Sequence, residues 1–342
     1  MERRYFNTEG CCYPDEHYMV SLDSRLNEIK NMVDAGKYFT INRGRQYGKT
    51  TTLSALEDLL LEDYDVVSID FQDQMSSSKF ENEEKFSKAF ADAFLETLEF
   101  SECSRLCKTA REIPAEITDL VELFRWLSEI CKKNTRKLVL IIDEVDQASN
   151  NQVFLDFLAQ LRGYYLKRNK RPTFRSVILA GVHDIRNIRH KIRSDSEHRH
   201  NSPWNIAADF EVDMSFSADD IAGMLKDYEN DCHTGMDISK ISSLIYDYTS
   251  GYLVLVSLIC RINDERLSDE IRWTKEGIVS AVGHIVSSKQ PLFESLINKL
   301  EDDSSLKNCV RSILLNGDNS SYNPYNSSVD LAIMYGFIRV VK

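Results

Sequence analysis

Residues 43–50 carry the strongest chemical signal in the chain, because they read Arg-Gly-Arg-Gln-Tyr-Gly-Lys-Thr. Backbone N–H groups of such a loop, with the N-terminus of a following helix, can point at phosphate oxygens. Gly48 would let the backbone approach the anion, Lys49 would reach the β- and γ-phosphates, and Thr50 would offer its hydroxyl to Mg²⁺. The pattern predicts a phosphate-binding loop, although Arg43 stands where the motif G-x-x-x-x-G-K-[ST] begins with glycine.

Two flanking elements must position this loop. Residues 37–42 are aromatic and β-branched, which predicts a strand, and residues 50–61 have the apolar spacing of a helix. Strand, loop and helix in this order are the context that a P-loop requires, whereas Gly-Lys-Thr alone could occur by chance. The expected nucleotide-binding residues are Arg43, Gly44, Arg45, Gln46, Tyr47, Gly48, Lys49, Thr50 and Thr51.

A second chemical signal follows the continuous apolar run of residues 138–142, which predicts a strand buried on both faces. That run ends in Asp143 and Glu144, the Walker B pattern. Asp143 would hold Mg²⁺, directly or through water, and Glu144 would act as general base on the attacking water. The alternative is an acidic turn after a buried strand. Both signals in this order argue against chance, and Glu144 favours the P-loop NTPases that hydrolyse with a catalytic glutamate over small GTPases.

A third candidate follows another buried-type strand, residues 176–182, which ends in His183 and Asp184. A polar residue at the end of the strand beside Walker B can contact the γ-phosphate or the attacking water, so both residues are catalytic candidates. Equally, Asp184 could cap the next helix.

A basic stretch runs from Arg162 to Arg199. Between residues 162 and 200, 11 Lys and Arg stand against three acidic residues, a local charge of +8. Three interpretations remain open: a solvated positive face, a nucleic-acid patch, or an arginine supplied to nucleotide in cis or by a neighbouring subunit.

The order of predicted elements indicates an α/β protein with a mainly parallel sheet. Strands are predicted at residues 37–42, 65–71, 138–142, 176–182 and 210–216, and from residue 218 onwards the pattern is helical. We expect three domains: an ASCE-type P-loop ATPase core (1–215), a helical lid (216–290) and a winged-helix-like module (291–342). In that last module two helices, a polar turn and a third helix would precede a strand at 336–341.

Composition narrows the class of protein further. The chain has 342 residues and a net charge of −12, which argues against a general polyanion binder, although a local basic face remains possible. Its apolar runs are too short to span a membrane, and no secretory signal begins the sequence. The eight cysteines form no C-x-x-C pair, so we expect reduced thiols in a cytoplasmic protein.

Residues 39–53 (FTINRGRQYGKTTTL) resemble the bacterial AAA-like ATPases allied to the archaeal-ATPase and STAND groups, which commonly read F-T-I-N-R-P-R-Q-x-G-K-T-T. The resemblance extends over roughly residues 5–340, including residues 17–20, 178–182, 202–207 and 249–252. It implies that members of the family commonly lack the first glycine of the motif, where this chain has Arg43. It also implies a helical lid, a winged-helix-like module, and Tyr18 and Met19 close to the adenine. In the lid, relatives carry G-x-P where this chain has Gly251-Tyr252-Leu253.

Two functions from different classes remain. The first is an ATP- and Mg²⁺-binding ATPase acting as a switch, in which nucleotide orders the lid. The second is a nucleic-acid-associated module, of defence or mobile-element type, that uses nucleotide as a structural ligand. A non-hydrolysing scaffold ranks last because Asp143 and Glu144 are intact. Relatives often continue into a nuclease domain, which this sequence does not show; a protein partner and homo-oligomerisation stay open.

Overall fold

In this computed structural model, the described residues are 3–42, 44, 46–101, 104–182, 204–316, 323 and 326–338. They form two compact units. The sheet unit comprises residues 25–42 and 53–212, and the helical unit comprises residues 1–24, 43–52 and 213–342. The phosphate-loop segment and the N-terminal residues therefore group with the C-terminal helices. The three-domain division at 215 and 290 stays a prediction.

The sheet unit alternates strands with helices. Its α-helices and strands are α1 (Asp23–Asp34), β1 (Tyr38–Asn42), α2 (Lys49–Leu60), β2 (Asp65–Asp70), α3 (Phe71–Gln74), α4 (Glu83–Phe100), α5 (Ser104–Glu112), α6 (Leu120–Lys133), β3 (Leu138–Asp143), α7 (Gln152–Leu166) and β4 (Ser176–Gly181). Short 3-10 helices occupy Ser77–Phe80 and Val145–Gln147. The first residues of α1 and the first turn of α2 are grouped with the helical unit.

The four strands form one parallel sheet in the order β1-β4-β3-β2. Asn42 is level with Gly181, and Asp70 is level with Asp143, so all strands end at one carboxyl edge. β3 and β4 are buried along their whole length, as their continuous apolar sequences predicted. The strand that leads into the phosphate loop thus ends at the same edge as Asp143.

The core of the sheet unit is rich in aromatic side chains from the helices. Phe86, Phe90 and Phe94 recur every four residues along α4, and this spacing places them on one buried face. Phe157 of α7 packs against Phe90 with ring centroids 4.9 Å apart. Asp119 caps α6 by accepting the Glu122 amide at 2.9 Å. The helices pack over the central strands, and their side chains share one hydrophobic core with those of the strands.

The helical unit contains seven further helices among its described residues: α8 (Ala218–Cys232), α9 (Ile238–Thr249), α10 (Leu253–Glu265), α11 (Lys275–Ser287), α12 (Pro291–Asp302), α13 (Ser304–Asn316) and α14 (Ser327–Met334). A capping box between Ser217 and Asp220 begins α8. Gly251, with φ +76°, separates α9 from α10. Only glycine fits there, because an added Cβ would lie 1.9 Å from the carbonyl oxygen of Phe216.

The N-terminal segment, residues 3–20, is fastened to this helical unit. The buried ring of Phe6 packs against Tyr18, Tyr228 and Trp273, with centroid separations of 5.1–5.9 Å. The Arg4 guanidinium pairs with Asp231 of α8 at 2.9 Å, and Asp231 also accepts the Tyr18 hydroxyl at 3.0 Å. Aromatic packing and these polar contacts give the segment a defined path.

Two strand predictions were wrong within the described residues. Residues 210–216 form no strand, although burial alternates at Val212, Met214 and Phe216 as a strand would require. The chain makes a single bridge to β1 earlier, at Ala208, and then leaves the sheet edge. Residues 336–338 form a turn and irregular chain rather than the start of a strand, because Gly336 has φ +82°. Residues 339–341 lie outside the described part.

Among the residues that the structure describes, no helix combines the length and the apolar character needed to cross a membrane.

Candidate nucleotide site

The phosphate loop is described at Gly44 and from Gln46 onwards; Arg43 and Arg45 lie outside the described residues. Gln46 and Gly48 adopt left-handed backbone angles, with φ +62° and +66°. Helix α2 begins directly afterwards at Lys49, whose side chain is buried, whereas Thr50 is exposed. The loop therefore turns sharply into a helix N-terminus, the geometry that favours anion binding.

Gly48 lies against the start of α10 in the helical unit. An added Cβ at Gly48 would come within 2.8 Å of the Leu253 Cδ2 atom. The neighbouring Tyr47 ring makes an edge contact with Tyr252, at a centroid separation of 4.5 Å. Leu253, at the position where the resemblance predicts proline, therefore lies beside the loop glycine. Residues 251–253 thus border the phosphate loop.

The C-terminal helix α14 also contacts this loop. The Gly44 amide donates a hydrogen bond of 3.0 Å to the Met334 carbonyl oxygen. An added Cβ at Gly336 would meet both the Tyr47 hydroxyl and the Tyr252 ring at 2.7 Å. The Gly44 amide is therefore satisfied by protein rather than directed at a phosphate.

A cavity of about 350 Å³ opens beside the loop, entirely within the helical unit. Its walls come from the N-terminal segment, the phosphate loop with the first turn of α2, and helices α8 and α10. Most of its large side chains are apolar or sulfur-containing. The lining residues that bear on the predicted site are Asn7, Cys12, Tyr18, Met19, Gln46, Gly48, Thr51, Phe216, Met224, Leu253 and Val254.

Tyr18 and Met19 lie in this cavity wall, at the place where the resemblance put the adenine. The Tyr18 ring is 2% exposed, and burial with hydrogen bonds to Cys232 and Asp231 raises the pKa of its phenol. His17 is turned to its own loop, where its Nδ1 accepts the Tyr13 amide at 2.8 Å. The cavity thus offers a mainly apolar space next to the phosphate loop.

Cys12 is a cavity residue that sequence reasoning missed. Its amide donates to the Thr51 hydroxyl oxygen at 3.1 Å, and burial, followed by the neighbouring Cys11, raises the pKa of its thiol. No motif in the sequence marks Cys12, because its place depends on the fold of the N-terminal segment against α2.

The acidic pair lies at the carboxyl edge of the sheet unit, as predicted. Asp143 is the last residue of β3 and is 7% exposed, and its Oδ1 accepts the Glu144 amide at 2.8 Å. Glu144 is half-buried and left-handed, with φ +51° and ψ +40°. For a residue with a Cβ this conformation costs about 1–2 kcal/mol, so the surrounding turn must hold it.

The end of β4 meets the turn after Glu144. Asp146 Oδ2 accepts the amide of Val182 at 2.5 Å, a contact that sequence reasoning missed. The repeated acid in Asp-Glu-Val-Asp was the available signal. His183 and Asp184, which follow Val182, lie outside the described residues.

Only part of the basic stretch is described, and it lies at the amino edge of the sheet. Arg168 donates to the Gly36 carbonyl at 2.7 Å, and Arg175 donates to that of Asp34, both just before β1. This edge is opposite to Asp143, so residues 167–175 do not fit an arginine supplied in cis. Arg186, Arg189, Lys191, Arg193 and Arg199 lie outside the described residues.

A sequence profile of the AAA-like domain family matches residues 15–323, and the chain belongs to this family. No curated protein sequence matches the chain. A Walker-type ATPase of Pyrococcus abyssi has a similar structure, with a TM-score of 0.57 at 15% identity over 96% of this chain and 93% of that one. Cdc6p of Pyrobaculum aerophilum follows with a TM-score of 0.48 at 15% identity, over 92% and 79%. The ORC1 protein of Aeropyrum pernix, solved in complex with DNA, has a TM-score of 0.43 at 10% identity, over 93% and 84%.

These comparisons confirm the predicted family and the α/β P-loop ATPase fold with its parallel sheet. The winged-helix-like character of residues 291–342 stays a prediction, although three helices lie there at α12, α13 and α14.

Proposed function

We propose that this protein binds ATP with Mg²⁺ and hydrolyses it, acting as a nucleotide-dependent switch. The observation that carries the proposal is the cavity of about 350 Å³ that shares its wall with the phosphate loop. Its size falls in the range of small-molecule sites, and its wall is mainly apolar with a few polar groups. An apolar chamber beside a helix N-terminus suits a base joined to phosphates.

Each lining segment has a role in this proposal. Tyr18, Met19 and Val254 would enclose the base, since their side chains offer apolar surface. The N-terminus of α2 and the Lys49 ammonium would bind the phosphates through hydrogen bonds and charge. Gly48 would allow the close backbone approach, because it has no Cβ and its φ of +66° suits glycine.

The residues present also suit Mg²⁺. Thr50 provides an exposed hydroxyl and Asp143 a carboxylate, and Mg²⁺ prefers such oxygen ligands. Bound Mg²⁺ neutralises charge on the transferred phosphate. Glu144, which follows Asp143 directly, would accept a proton from the attacking water as general base.

The switch would act through the start of α10. Leu253 contacts Gly48 and, with Val254, lines the cavity, so this helix would respond to the nucleotide directly. ATP would order α10 against the loop, and hydrolysis would release it.

Calorimetric titration tests the proposed binding. Wild-type protein should bind ATP in the presence of Mg²⁺, whereas Lys49→Ala should weaken binding by about 1.5–3 kcal/mol, the range for a charged hydrogen bond. Lys30→Ala is the matched control. Lys30 lies on α1 and forms ion pairs with Asp34 of the same helix and with Asp63 in the turn before β2. Equal ATP affinity in wild type and Lys49→Ala would contradict the proposal.

A second candidate function is nucleic-acid association through the amino edge of the sheet. Residues 132–137 and 167–175 contain nine Lys and Arg and no acidic residue. The two segments are neighbours, since the Arg175 amide bonds the Leu138 carbonyl and the Ser128 hydroxyl bonds the Pro172 carbonyl, each at 2.7 Å. The supporting observation is thus a basic surface built from two neighbouring segments, in which Lys132 pairs with Glu129 and Arg136 with Asp65. The exposed lysines that remain suit a phosphate backbone.

Aromatic rings lie within this surface. The Arg168 guanidinium sits 4.4 Å from the Tyr165 ring centroid, and that of Arg171 lies 5.5 Å from Tyr164. Stacked guanidinium and aromatic groups can also contact bases.

Fluorescence anisotropy with a labelled DNA duplex tests this candidate at about 50 mM salt, where phosphate contacts are strong. Removing four exposed lysines of the surface (Lys133, Lys137, Lys167 and Lys170, each to Ala) should weaken binding and reduce its salt dependence. The control removes equal charge elsewhere in the sheet unit, at Lys79, Lys85, Lys88 and Lys108. Equal binding by both variants would contradict the proposed surface.

A further inference from the structure

The carboxylate of Asp146 joins two neighbouring strands beyond the point where their ladder ends. The last register pair between β3 and β4 is Ile142 with Leu179. Past this pair, Asp146 Oδ2 accepts the Val182 amide at 2.5 Å. A side chain thus replaces the backbone pairing at the carboxyl edge, in the turn that follows Asp143.

The end of β4 is shaped to receive this turn. An added Cβ at Gly181 would lie 2.9 Å from Val145 Cγ2 and 3.0 Å from Asp146 Oδ2. Val145 is fully buried, so its side chain has no free space to retreat, and Asp146 is half-buried and held by its bond to Val182. The close approach therefore requires glycine at 181 and fixes the distance between turn and strand.

The backbone of the same turn is held on both sides of Asp146. The Gln147 amide bonds the Glu144 carbonyl at 3.1 Å, and the Ser149 hydroxyl bonds the Asp146 carbonyl at 2.8 Å. Glu144, two residues before Asp146, is left-handed and depends on its surroundings to stay so. A change at Asp146 would consequently be transmitted to Glu144 through a short, rigid turn.

We propose that Asp146 is a positioning residue for ATP hydrolysis: its carboxylate holds the turn that carries Glu144 against the end of β4. This role rests on the proposed ATPase function, in which Glu144 is the general base. Asp146 acts by accepting a hydrogen bond, and an asparagine at 146 retains an acceptor oxygen without the charge.

Turnover measurements on two variants of Asp146 test the role. Asp146→Ala should lower kcat roughly ten- to a hundredfold, the size expected when a reacting group is misplaced by up to about 1 Å. ATP affinity should stay within a few-fold of wild type, and Asp146→Asn should restore most of the lost kcat. Asp156→Ala, which removes a carboxylate that accepts a hydrogen bond from Gln152 on α7 and lies outside this turn, is the control and should keep turnover.

Amide hydrogen exchange gives a readout that does not depend on turnover. The Val182 amide should exchange faster in Asp146→Ala than in wild type, and Asp146→Asn should restore its protection. Unfolding of Asp146→Ala would appear as faster exchange throughout β3 as well as at Val182, and would overturn a specific positioning role.

Other results separate the inference from the proposed function. If wild type hydrolyses ATP and Asp146→Ala has an unchanged kcat, the positioning role alone is wrong. If Asp146→Asn is as slow as Asp146→Ala, the charge matters rather than the acceptor, and the role is again wrong. If wild type binds but does not hydrolyse ATP, the proposed ATPase function fails and the positioning role falls with it, whatever Val182 exchange shows.

Discussion

The backbone amide of Cys12 donates a 3.1 Å hydrogen bond to the hydroxyl oxygen of Thr51. Thr51 lies in the first turn of α2, next to Lys49 and Thr50, whereas Cys12 belongs to the N-terminal segment. Both residues line the cavity. The bond thus fastens the N-terminal wall of the proposed nucleotide site to the helix that would bind the phosphates.

Breaking this bond should weaken ATP binding. Thr51→Val keeps the side-chain shape but removes the acceptor, so the Cys12 amide loses its partner at a cost of about 1–3 kcal/mol. We expect ATP affinity to fall in calorimetric titration, while Thr51→Ser, which keeps the hydroxyl, binds as wild type does. If Thr51→Val and Thr51→Ser bind ATP equally well, the bond does not support the site.

Gly48 should tolerate no side chain. Its φ of +66° is a left-handed angle that costs a residue with a Cβ about 1–2 kcal/mol, and the Cβ would meet Leu253 at 2.8 Å. Gly48→Ala should therefore bind ATP more weakly. In the double variant Gly48→Ala with Leu253→Ala, the clash is removed but the backbone strain and the blocked approach of the phosphate remain. The double variant should therefore still bind ATP more weakly than Leu253→Ala alone. Equal ATP affinity of these two variants would contradict this account.

Replacing Gly251 should lower the free energy of unfolding. Gly251→Ala places a Cβ 1.9 Å from the Phe216 carbonyl oxygen, at φ +76°, so backbone must move. We expect a loss of about 3 kcal/mol or more in the free energy of unfolding, measured by urea denaturation. Gly163→Ala is the control: its Cβ would meet nothing within 4 Å inside α7, and replacing a helical glycine should stabilise by up to about 1 kcal/mol. A similar effect of both substitutions would show that the contact at Phe216 is not limiting.

The sheet could be predicted from sequence because its central strands are buried on both faces. β3 and β4 read as unbroken apolar runs, and a run of that kind is typical of a parallel sheet. The loop before α2 was recognisable for a similar local reason, since glycine, lysine and threonine must occur at fixed spacing.

The wrong strand prediction at residues 210–216 rested on a sequence pattern that is typical of strands. Val212, Met214 and Phe216 alternate with polar residues, but burial here comes from packing of an extended chain and not from a ladder. Trp204 shows what does attach this region to the sheet: its indole N–H donates to the Thr40 hydroxyl at 2.8 Å. Such contacts join residues far apart in sequence and leave no periodic signal.

The cavity was even less accessible to sequence reasoning. Cys12, Met224 and Val254 come from three segments that fold together, and none of them was anticipated. The lining residues that were anticipated came from the phosphate-loop motif and, for Tyr18 and Met19, from the family resemblance. Asp146 could have been inferred from the second aspartate of Asp-Glu-Val-Asp, but its partner is a backbone amide, which no residue type reveals.

Cys12 offers a chemical probe of the cavity. Burial raises the pKa of its thiol, so the reactive thiolate should be scarcer at pH 8 than for an ordinary cysteine near about 8.5, and alkylation should accelerate as the pH rises further. Bound ATP should slow iodoacetamide labelling of Cys12, measured by peptide mass spectrometry. Labelling of Cys309, which lies on α13, provides the internal reference. Identical Cys12 labelling with and without ATP would place the nucleotide elsewhere.

The central claim is that this chain hydrolyses ATP with Glu144 as general base. Its most direct test is steady-state phosphate release with ATP and Mg²⁺ by wild type and Glu144→Gln, with ATP affinity measured on the same samples. The account predicts turnover in wild type, and in Glu144→Gln a kcat lower by roughly 10²–10⁴-fold, the contribution typical of a general base, with ATP affinity retained. Equal phosphate release by the two proteins, or none by wild type that binds ATP, would contradict it.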